Sequence, residues 1–530
     1  MTAHADTFAR DHLPPRSAWP DLPLGELDYP DQLNVAAVLL AEPRFAQRAC
    51  VVGEDGTWTY AELRSRADAV AAALVHEEGL VPGNRVLLHG PNSPELIACW
   101  FGVLLAGGVV VATMPLLRAG ELAKVIDKAQ VSHAIADARV SGEVRLAADA
   151  QPVLQRVREY GVGEQGFAAV DGFDAVETEA DDVAIIAFTS GTTGLPKGCV
   201  HLHRDLLATC DTFGARVLRP REDDVLTATP PLAFTFGLGV EVLFPMRAGA
   251  ATVPIAQPSM PAVVDAIERH SITTLSTAPT MYRAMLRDAD LSRVHTLRTC
   301  VSAGEPLPAA VATAWTERTG VRIIDGIGAT EMLHIFVGSP AEETRPGSVG
   351  RPVPGYEAMV VDEAMRPVAP GVVGRLAVRG PTGCRYLDDH RQSDYVVDGW
   401  NVTGDAFRVD EDGHFWFAAR NDDLIVSAGY NISPLEVEGA LLQHDAVAEC
   451  AVVASPDEAR GHVVKAFVIT ADGFDAGDEL AAELQQHVKE RIAPYKYPRR
   501  IEFVDALPRT ATGKVQRAVL RKAEGDAAAV

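Results

Sequence analysis

The sequence predicts an α/β fold with a large N-terminal domain and a small C-terminal domain. Apolar β-branched runs alternate with amphipathic stretches through the first four-fifths of the chain, as at Arg85–Leu88, Val183–Phe188, Thr273–Ser276 and Val321–Ile324. This alternation is typical of parallel sheets covered by helices. From about Gly374 the pattern changes to short alternating strands separated by charged turns.

We place the domain boundary at the charged turn Arg420–Asp423. The residues after this turn have a strand and helix pattern of their own, at Cys450–Ser455, Val463–Ile469 and Glu479–Ile492. The predicted domains are therefore 1–420 and 421–530.

The composition excludes several classes of partner. A chain of 530 residues with 47% hydrophobic and 23% charged residues is typical of a globular enzyme. Its net charge of −24 would repel nucleic acid and anionic membranes. Seven scattered cysteines with no C-x-x-C pair predict reduced thiols, and the charged, proline-rich N-terminus lacks a signal-peptide core. We expect a cytoplasmic protein, monomeric or homodimeric.

One uncharged stretch, Leu96–Leu117, is long enough to span a bilayer. Its interior favours a different interpretation, because a helical pattern over Glu95–Ala106 breaks at Gly107-Gly108 and Val109–Val111 then continues as a buried strand. We therefore predict a helix-turn-strand core unit.

The strongest local motif follows the strand that ends at Phe188: Thr189-Ser190-Gly191-Thr192-Thr193-Gly194-Leu195-Pro196-Lys197-Gly198. Its glycines allow a tight turn with inward N–H groups, and its hydroxyls and lysine add donors, so the loop is suited to nucleotide phosphates. It is not a Walker motif, since no G-K-[ST] closes it. A solvated Gly/Thr turn is the alternative.

Three weaker segments gain meaning from their order. Asp325-Gly326-Ile327-Gly328-Ala329-Thr330-Glu331 follows a strand, where open α/β sheets bind ligands, and its carboxylate suits Mg²⁺. Asp405 suits ribose hydroxyls, with Arg420 as a further donor, and Lys514 follows a Thr-Gly turn near the C-terminus. Taken singly, these segments read as a glycine turn, solvated charges and a basic tail.

Together these segments resemble the acyl-adenylate-forming superfamily from about residue 30 to 520. The segments Phe8–Pro15, Asp325–Phe336 and Gly380–Tyr386 look like the benzoate-CoA ligase branch, and within it most like 2-aminobenzoate-CoA ligases. The resemblance implies a large N-terminal domain of parallel and mixed sheets with a small β-barrel-like subdomain, and a small, mobile α+β C-terminal domain.

The resemblance also implies a role for each segment. The phosphates of ATP would be held by Thr189, Ser190, Gly191, Thr192, Thr193, Gly194 and Lys197, and the adenine by Gly304, Glu305, Pro306, Asp325, Gly326, Ile327 and Gly328. Thr330 would contact the α-phosphate and Glu331 would bind Mg²⁺. Asp405 and Arg420 would hold the ribose, and Lys514 would bridge the carboxylate and the α-phosphate.

The second half-reaction and the acid pocket are implied in the same way. Asp422 matches a hinge, about which the small domain rotates so that Ser427, Gly429 and Tyr430 line the pantetheine tunnel. The pocket for the acid would include Phe234, Phe236, Ala329 and His334. Two phenylalanines favour a flat ring over a flexible chain. His334 would face an ortho substituent of the ring, or else be a core histidine.

These roles predict an ATP-dependent aryl-CoA ligase that uses Mg²⁺ and coenzyme A. An enzyme that loads an acyl carrier protein would share the first half-reaction, and Lys496, Arg499 and Arg500 suit either the 3′-phosphate of CoA or an acidic carrier. A non-catalytic nucleotide-binding relative is the third alternative, which the presence of Lys197, Glu331, Asp405 and Lys514 opposes.

Overall fold

A computed structural model describes residues 2–54, 56–161, 166–189, 196–420, 423–427, 430–457, 461–492, 494–509 and 515–528. The chain divides into two compact units, one comprising residues 1–358 and 378–402, and the other comprising residues 359–377 and 403–530. The proposed boundary at residues 420–421 stays a sequence-based prediction.

The β-strands of the described residues are β1 Ala49–Gly53, β2 Gly56–Thr59, β3 Arg85–His89, β4 Val109–Thr113, β5 His133–Asp137, β6 Arg156–Tyr160, β7 Val183–Thr189, β8 Lys197–Leu202, β9 Val225–Ala228, β10 Ala251–Thr252, β11 Thr274–Thr277, β12 Thr299–Ser302, β13 Ile323–Gly328, β14 Ile335–Gly338, β15 Glu357–Val361, β16 Gly374–Arg379, β17 Val396–Val397, β18 Trp400–Val409, β19 Phe415–Arg420, β20 Ile425–Ser427, β21 Tyr430–Ile432, β22 Val447–Asp457, β23 Gly461–Thr470 and β24 Arg500–Phe503.

The α-helices are α1 Phe8–Asp11, α2 Val35–Leu40, α3 Tyr60–Ala72, α4 Pro94–Leu105, α5 Ala119–Ala129, α6 Ser141–Ala150, α7 His203–Thr209, α8 Thr235–Leu238, α9 Phe244–Ala248, α10 Met260–His270, α11 Pro279–Asp288, α12 Ala309–Thr319, α13 Gln392–Tyr395, α14 Pro434–Leu441, α15 Asp478–Arg491 and α16 Arg517–Ala528. Wider π-helical turns extend α3 over Ala73–Glu77 and α7 over Cys210–Leu218, and a π-helical segment at Gly239–Leu243 joins α8 to α9.

Two sheets form the frame of the first unit. The six-stranded sheet has the order β6-β5-β3-β4-β7-β8, and all its neighbours are parallel except β7 and β8. The eight-stranded sheet has the order β14-β13-β12-β11-β9-β10-β1-β2, with antiparallel pairs only at its two ends. The central strands are nearly all buried, as parallel strands covered by helices must be.

The uncharged stretch near residue 100 is a core unit, as predicted. Helix α4 begins at Pro94, and the preceding residue, Ser93, caps it by accepting a hydrogen bond from the Leu96 N–H. The helix ends before Gly107, whose φ is +73°. Strand β4 then lies between β3 and β7. Among the described residues, no helix is both long and apolar enough to cross a membrane.

Helices cover each sheet with its own apolar core. Val125 and Ile126 of α5 pack with Leu87 and Val111 of the six-stranded sheet. Tyr282 of α11 and Trp315 of α12 pack edge-on at 4.9 Å in the core beside the eight-stranded sheet. The cores fix the strand ends that carry the candidate site residues.

The region between residues 396 and 420 is antiparallel. In the first unit β17 pairs with the start of β18, and in the second unit the rest of β18 pairs with β19. These strands belong to the predicted barrel-like sheet. The second unit also contains the antiparallel pair β22–β23 with β24 parallel to β23, and Leu484 and Val488 of α15 lie in its core. The predicted fold class is confirmed.

Candidate active site

Strands β7 and β8 carry the two ends of the predicted phosphate loop. Thr189, the last residue of β7, pairs directly with Lys197, the first residue of β8. The predicted loop residues Ser190, Gly191, Thr192, Thr193 and Gly194 lie outside the described residues. Lys197 therefore lies at the start of β8, where its ammonium group contacts Glu331 and Tyr386.

Lys197, Glu331 and Tyr386 form a compact polar cluster. The Tyr386 hydroxyl donates to Glu331 Oε1 at 2.6 Å and accepts from Lys197 Nζ at 2.8 Å, while Nζ lies 3.4 Å from the same carboxylate oxygen. Burial, together with the Glu331 charge, raises the pKa of Tyr386, so its proton stays in place. Lys197, predicted to bind phosphate, and Glu331, predicted to bind a metal ion, are thus in contact.

Tyr386 has no place among the residues predicted for the site. It is the last residue of the Gly380–Tyr386 segment that resembles the benzoate-CoA ligase branch, and it lies 55 residues from Glu331 along the chain. An isolated pairing of Tyr386 with Cys199 of β8 brings it to the cluster. No local pattern could have revealed a contact that depends on this pairing.

His201 anchors the turn that carries Thr330 and Glu331. Like Tyr386, it was not predicted from the sequence as a residue of the site. The turn is a short 3-10 helix, and His201 Nε2 donates to the Thr330 carbonyl oxygen at 2.7 Å. Burial lowers the pKa of His201 to about 4, so the imidazole is neutral. Beside it, fully buried Arg385 donates to Asp205 at 2.6 Å.

The predicted adenine segments follow neighbouring parallel strands. Gly304, Glu305 and Pro306 come just after β12, whose last residue, Ser302, pairs with Asp325 of β13. Gly304 has a φ of +83°, which glycine adopts without strain. A cavity of about 250 Å³ is lined in part by Leu307, Asp325 and Ser348.

The Asp325–Gly328 segment is strand, not the glycine loop that its composition suggested. It continues β13 and pairs antiparallel with β14. A Cβ at Gly326 would lie 2.8 Å from Ile335, and one at Gly328 would lie 2.7 Å from the His334 carbonyl oxygen. The glycines therefore serve the close approach of β14, and Ile327 lies between them in the pair. Burial raises the pKa of Asp325 to about 8.

Four aromatic rings meet at the predicted acid pocket. His334 lies 5.0 Å from Phe213, 5.7 Å from Phe236 and 4.8 Å from Phe244, measured between ring centroids. Phe213 and Phe244 were not among the predicted pocket residues. Of the other two predicted residues, the Phe234 side chain is 39% exposed, and Ala329 has extended backbone just before the Thr330 turn. Phe236 and His334 are thus brought together, and their role toward the acid stays a prediction.

His334 is a buried imidazole ring in its neutral form. It is 3% exposed, and neither ring nitrogen makes a well-aligned hydrogen bond in the described part of the chain, although a backbone group of Phe236 lies close to the ring. Burial lowers its pKa to about 3. Since a neutral imidazole has one donor and one acceptor nitrogen, the ring can meet either kind of substituent on a neighbouring molecule.

Asp405 and Arg420 lie together in the second unit. They face each other across β18 and β19, and Arg420 Nη1 donates to Asp405 Oδ1 at 2.8 Å. A Cβ at Gly404 would lie 2.6 Å from the guanidinium, so the glycine makes room for it. Both residues are therefore strand residues, not isolated charges in turns.

The remaining predicted residues concern the second half-reaction and the C-terminal lysine. Ser427 ends β20 and pairs with Tyr430, the first residue of β21. Asp422, Gly429 and Lys514 lie outside the described residues. Of the basic residues considered for CoA or a carrier, Lys496 donates to Glu436 at 2.6 Å, Arg499 donates to the Tyr497 hydroxyl at 2.6 Å and Arg500 to the Ser455 hydroxyl at 2.6 Å.

Comparisons with known proteins identify the family of the chain. Residues 41–385 match the AMP-binding enzyme family and residues 436–514 match its C-terminal domain. The chain is 36% identical to a benzoate–CoA ligase of Thauera aromatica over 509 residues, covering 93% of this chain and 97% of that protein.

Solved structures show the same likeness. An anthranilate CoA ligase crystallised with anthranoyl-AMP is 35% identical, with a TM-score of 0.88 over 95% of this chain and 99% of that one. A benzoate CoA ligase from Burkholderia xenovorans LB400 is 34% identical, with a TM-score of 0.83 over 92% of this chain and 100% of that one. The predicted superfamily is confirmed, and the chain belongs to the AMP-binding enzyme family.

Proposed function

We propose that this protein is an AMP-forming aryl-CoA ligase, which activates a benzoate-like acid with ATP and transfers the acyl group to coenzyme A. One observation carries the proposal: Glu331, in the cluster with Lys197, and His334, among the aromatic rings, lie three residues apart. Leu333 between them has a φ of +70°, a strained value for a residue with a side chain. One tight turn thus joins a phosphate-binding side to a ring-binding side.

The first half-reaction needs this arrangement. A carboxylate is a poor acyl donor because its leaving group would be oxide. When a carboxylate oxygen attacks the α-phosphorus of ATP, pyrophosphate leaves and the acid becomes a mixed anhydride with AMP as its leaving group. Lys197, the Thr330 hydroxyl, the loop donors and Lys514 would offset the charge that spreads over the phosphates.

Glu331 fits the role proposed for it toward Mg²⁺. Tyr386 and Lys197 both donate to Oε1, which leaves Oε2 for a cation. Across the described ranges, no three His, Cys, Asp or Glu residues form a metal-binding group. A single carboxylate fits Mg²⁺ that is bound mainly by the phosphates of ATP and by water, and that supplies positive charge to the leaving pyrophosphate.

His334 supports a ring with an ortho amino group as the preferred acid. A neutral imidazole nitrogen accepts a hydrogen bond from an amine N–H, and no donor among the described residues makes a well-aligned hydrogen bond to the His334 ring, which lies beside three phenylalanine rings. The aromatic surroundings favour a flat substrate. The related structure that holds anthranoyl-AMP agrees with a 2-aminobenzoate-like acid.

The second half-reaction would transfer the acyl group from AMP to the CoA thiol. The thiolate attacks the carbonyl carbon, AMP leaves, and no covalent intermediate with the protein is needed. We assign Asp422 as the hinge between domains 1–420 and 421–530, and Ser427, Gly429 and Tyr430 to the pantetheine path. The relatives described above are CoA ligases, and this chain matches nearly the whole length of each. This similarity favours CoA over a carrier protein as the acceptor.

A panel of acids tests this proposal. Benzoate, 2-aminobenzoate, 3-aminobenzoate, 2-hydroxybenzoate and octanoate are each incubated with Mg·ATP, with and without CoA, and AMP and the CoA thioester are measured. We expect the aromatic acids to turn over much faster than octanoate, 2-aminobenzoate fastest, and AMP release to rise when CoA is added. Faster turnover of octanoate would contradict the aryl assignment, and AMP release that ignores CoA would contradict CoA as acceptor.

A further inference from the structure

Glu241 is a buried acid that the proposed reaction does not use. It lies in the Gly239–Leu243 segment between α8 and α9, and it is 0% exposed. Its Oε1 accepts a hydrogen bond from Asn92 Nδ2 at 3.0 Å, and the Ala228 backbone N–H lies close enough to favour the charged form slightly, while Oε2 is buried with no well-aligned hydrogen bond from the described residues. Burial raises the pKa of Glu241 well above its usual range and so favours the neutral form. Such a costly group calls for an explanation.

Asn92 connects Glu241 to the turn that precedes the predicted pocket wall. Asn92 follows strand β3, and its Oδ1 accepts from the Leu232 N–H at 2.8 Å. Its Nδ2 also lies 3.4 Å from the Pro230 carbonyl oxygen. The chain continues directly from Leu232 to Phe234 and into α8. The amide therefore holds the turn 230–232 at two backbone groups while Glu241 holds the amide.

The same helical run touches the turn and His334 at two other positions. A Cβ at Gly237 would lie 2.3 Å from the Pro231 carbonyl oxygen, and one at Gly239 would lie 2.5 Å from Nε2 of His334. Residues 237, 239 and 241 thus contact the turn, the histidine ring and Asn92 in sequence. A shift of Glu241 would be passed on to both walls of the pocket, because these contacts are too close to absorb it.

We propose that Glu241, acting through Asn92, is a positioning residue for acid selectivity that sets the turn 230–232, and with it Phe234 and Phe236, relative to His334. The inference rests on the proposed function, which assigns this pocket to the acid. It assigns Glu241 no contact with the acid. A residue that serves only the core would affect stability and leave the choice of acid unchanged.

Three variants separate these roles. Glu241→Leu removes the acceptor and leaves the Asn92 amide unsatisfied, Asn92→Ser shortens the bridge from its other end, and Glu241→Gln keeps the size and the acceptor. We expect the first two to raise KM for 2-aminobenzoate about tenfold and to lower the preference for it over octanoate by a similar factor. KM for ATP should stay within about twofold, and Glu241→Gln should restore wild-type values.

Asp68→Ala is the matched control, since Asp68 is a buried acid of the same unit whose carboxylate pairs with Arg64 and not with the turn. It should lower the melting temperature without changing the preference between acids. Wild-type selectivity in a folded Glu241→Leu or Asn92→Ser variant, equal rises in KM for acid and ATP, or no rescue by Glu241→Gln would overturn the proposal. Failure of the proposed function looks different, because the wild-type protein itself would then release no AMP with any aromatic acid.

Discussion

Tyr386→Phe removes one hydroxyl from the centre of the Lys197–Glu331 cluster and leaves the ring in place. The hydroxyl lies 2.6 Å from the carboxylate oxygen and 2.8 Å from the ammonium nitrogen, so both of its partners are charged. A hydrogen bond to a charged group contributes about 1.5–3 kcal/mol. Because 1.36 kcal/mol corresponds to a tenfold change in rate, we expect kcat/KM for Mg·ATP to fall by about 10- to 100-fold.

The assay is acid-dependent ATP–pyrophosphate exchange, measured over a range of Mg·ATP concentrations. The loss should fall on Mg·ATP, while KM for the aromatic acid stays near its wild-type value, because the hydroxyl does not contact the aromatic rings around His334. Tyr395→Phe is the control: Tyr395 packs edge-on to Tyr386 with ring centroids 5.9 Å apart, and the change leaves both Glu331 hydrogen bonds intact. Exchange within twofold of wild type in a folded Tyr386→Phe variant would refute the reasoning.

Three further predictions follow from the site. Gly239→Ala would place a methyl group 2.5 Å from His334; we expect the ring to be displaced and KM for 2-aminobenzoate to rise about tenfold, whereas an unchanged KM would contradict the packing argument. Asp325→Asn should be more stable than wild type, by an amount that increases with pH. Burial raises the Asp325 pKa to about 8, so the wild-type protein loses stability as pH rises from the unfolded-state pKa to the folded-state pKa, whereas asparagine does not titrate. The gap in unfolding free energy should grow by about 4 kcal/mol from pH 5 to pH 8 in denaturant titrations, and a constant gap would oppose it. Lys514→Ala should abolish pyrophosphate exchange and spare thioester formation from supplied acyl adenylate; equal loss of both would contradict its role.

The order of the core elements was predictable because parallel strands covered by helices leave a strong trace in the sequence. Continuous β-branched runs marked β3 and β7 to within a residue, and the glycine pair after α4 marked the start of β4. The extent of β13 was not predictable, because glycines that usually mark a turn here let β14 approach closely. Asp405 and Arg420 were predicted to act together, but their direct pairing across β18 and β19 depends on the register of the sheet and is visible only in the structure.

The chemistry of the site was only partly accessible from the sequence. Lys197 and Glu331 belong to motifs with a recognisable order, so their meeting could be expected. The contacts of Tyr386 and His201 with this turn join residues more than fifty and more than one hundred positions apart, and no local periodicity encodes such contacts. Phe213 and Phe244 likewise come from helical segments, where a residue that packs against His334 has the same apolar pattern as a residue of the core.

The most direct test of the central claim is pyrophosphate exchange in the absence of CoA. The wild-type protein, ATP, Mg²⁺ and labelled pyrophosphate are combined with 2-aminobenzoate or without acid, and label appearing in ATP is measured. An aryl-adenylating enzyme should exchange label only when the acid is present, and CoA should then convert the adenylate to thioester and AMP in equal amounts. Exchange without acid, or thioester formation with no acid-dependent exchange, would contradict activation through an acyl adenylate.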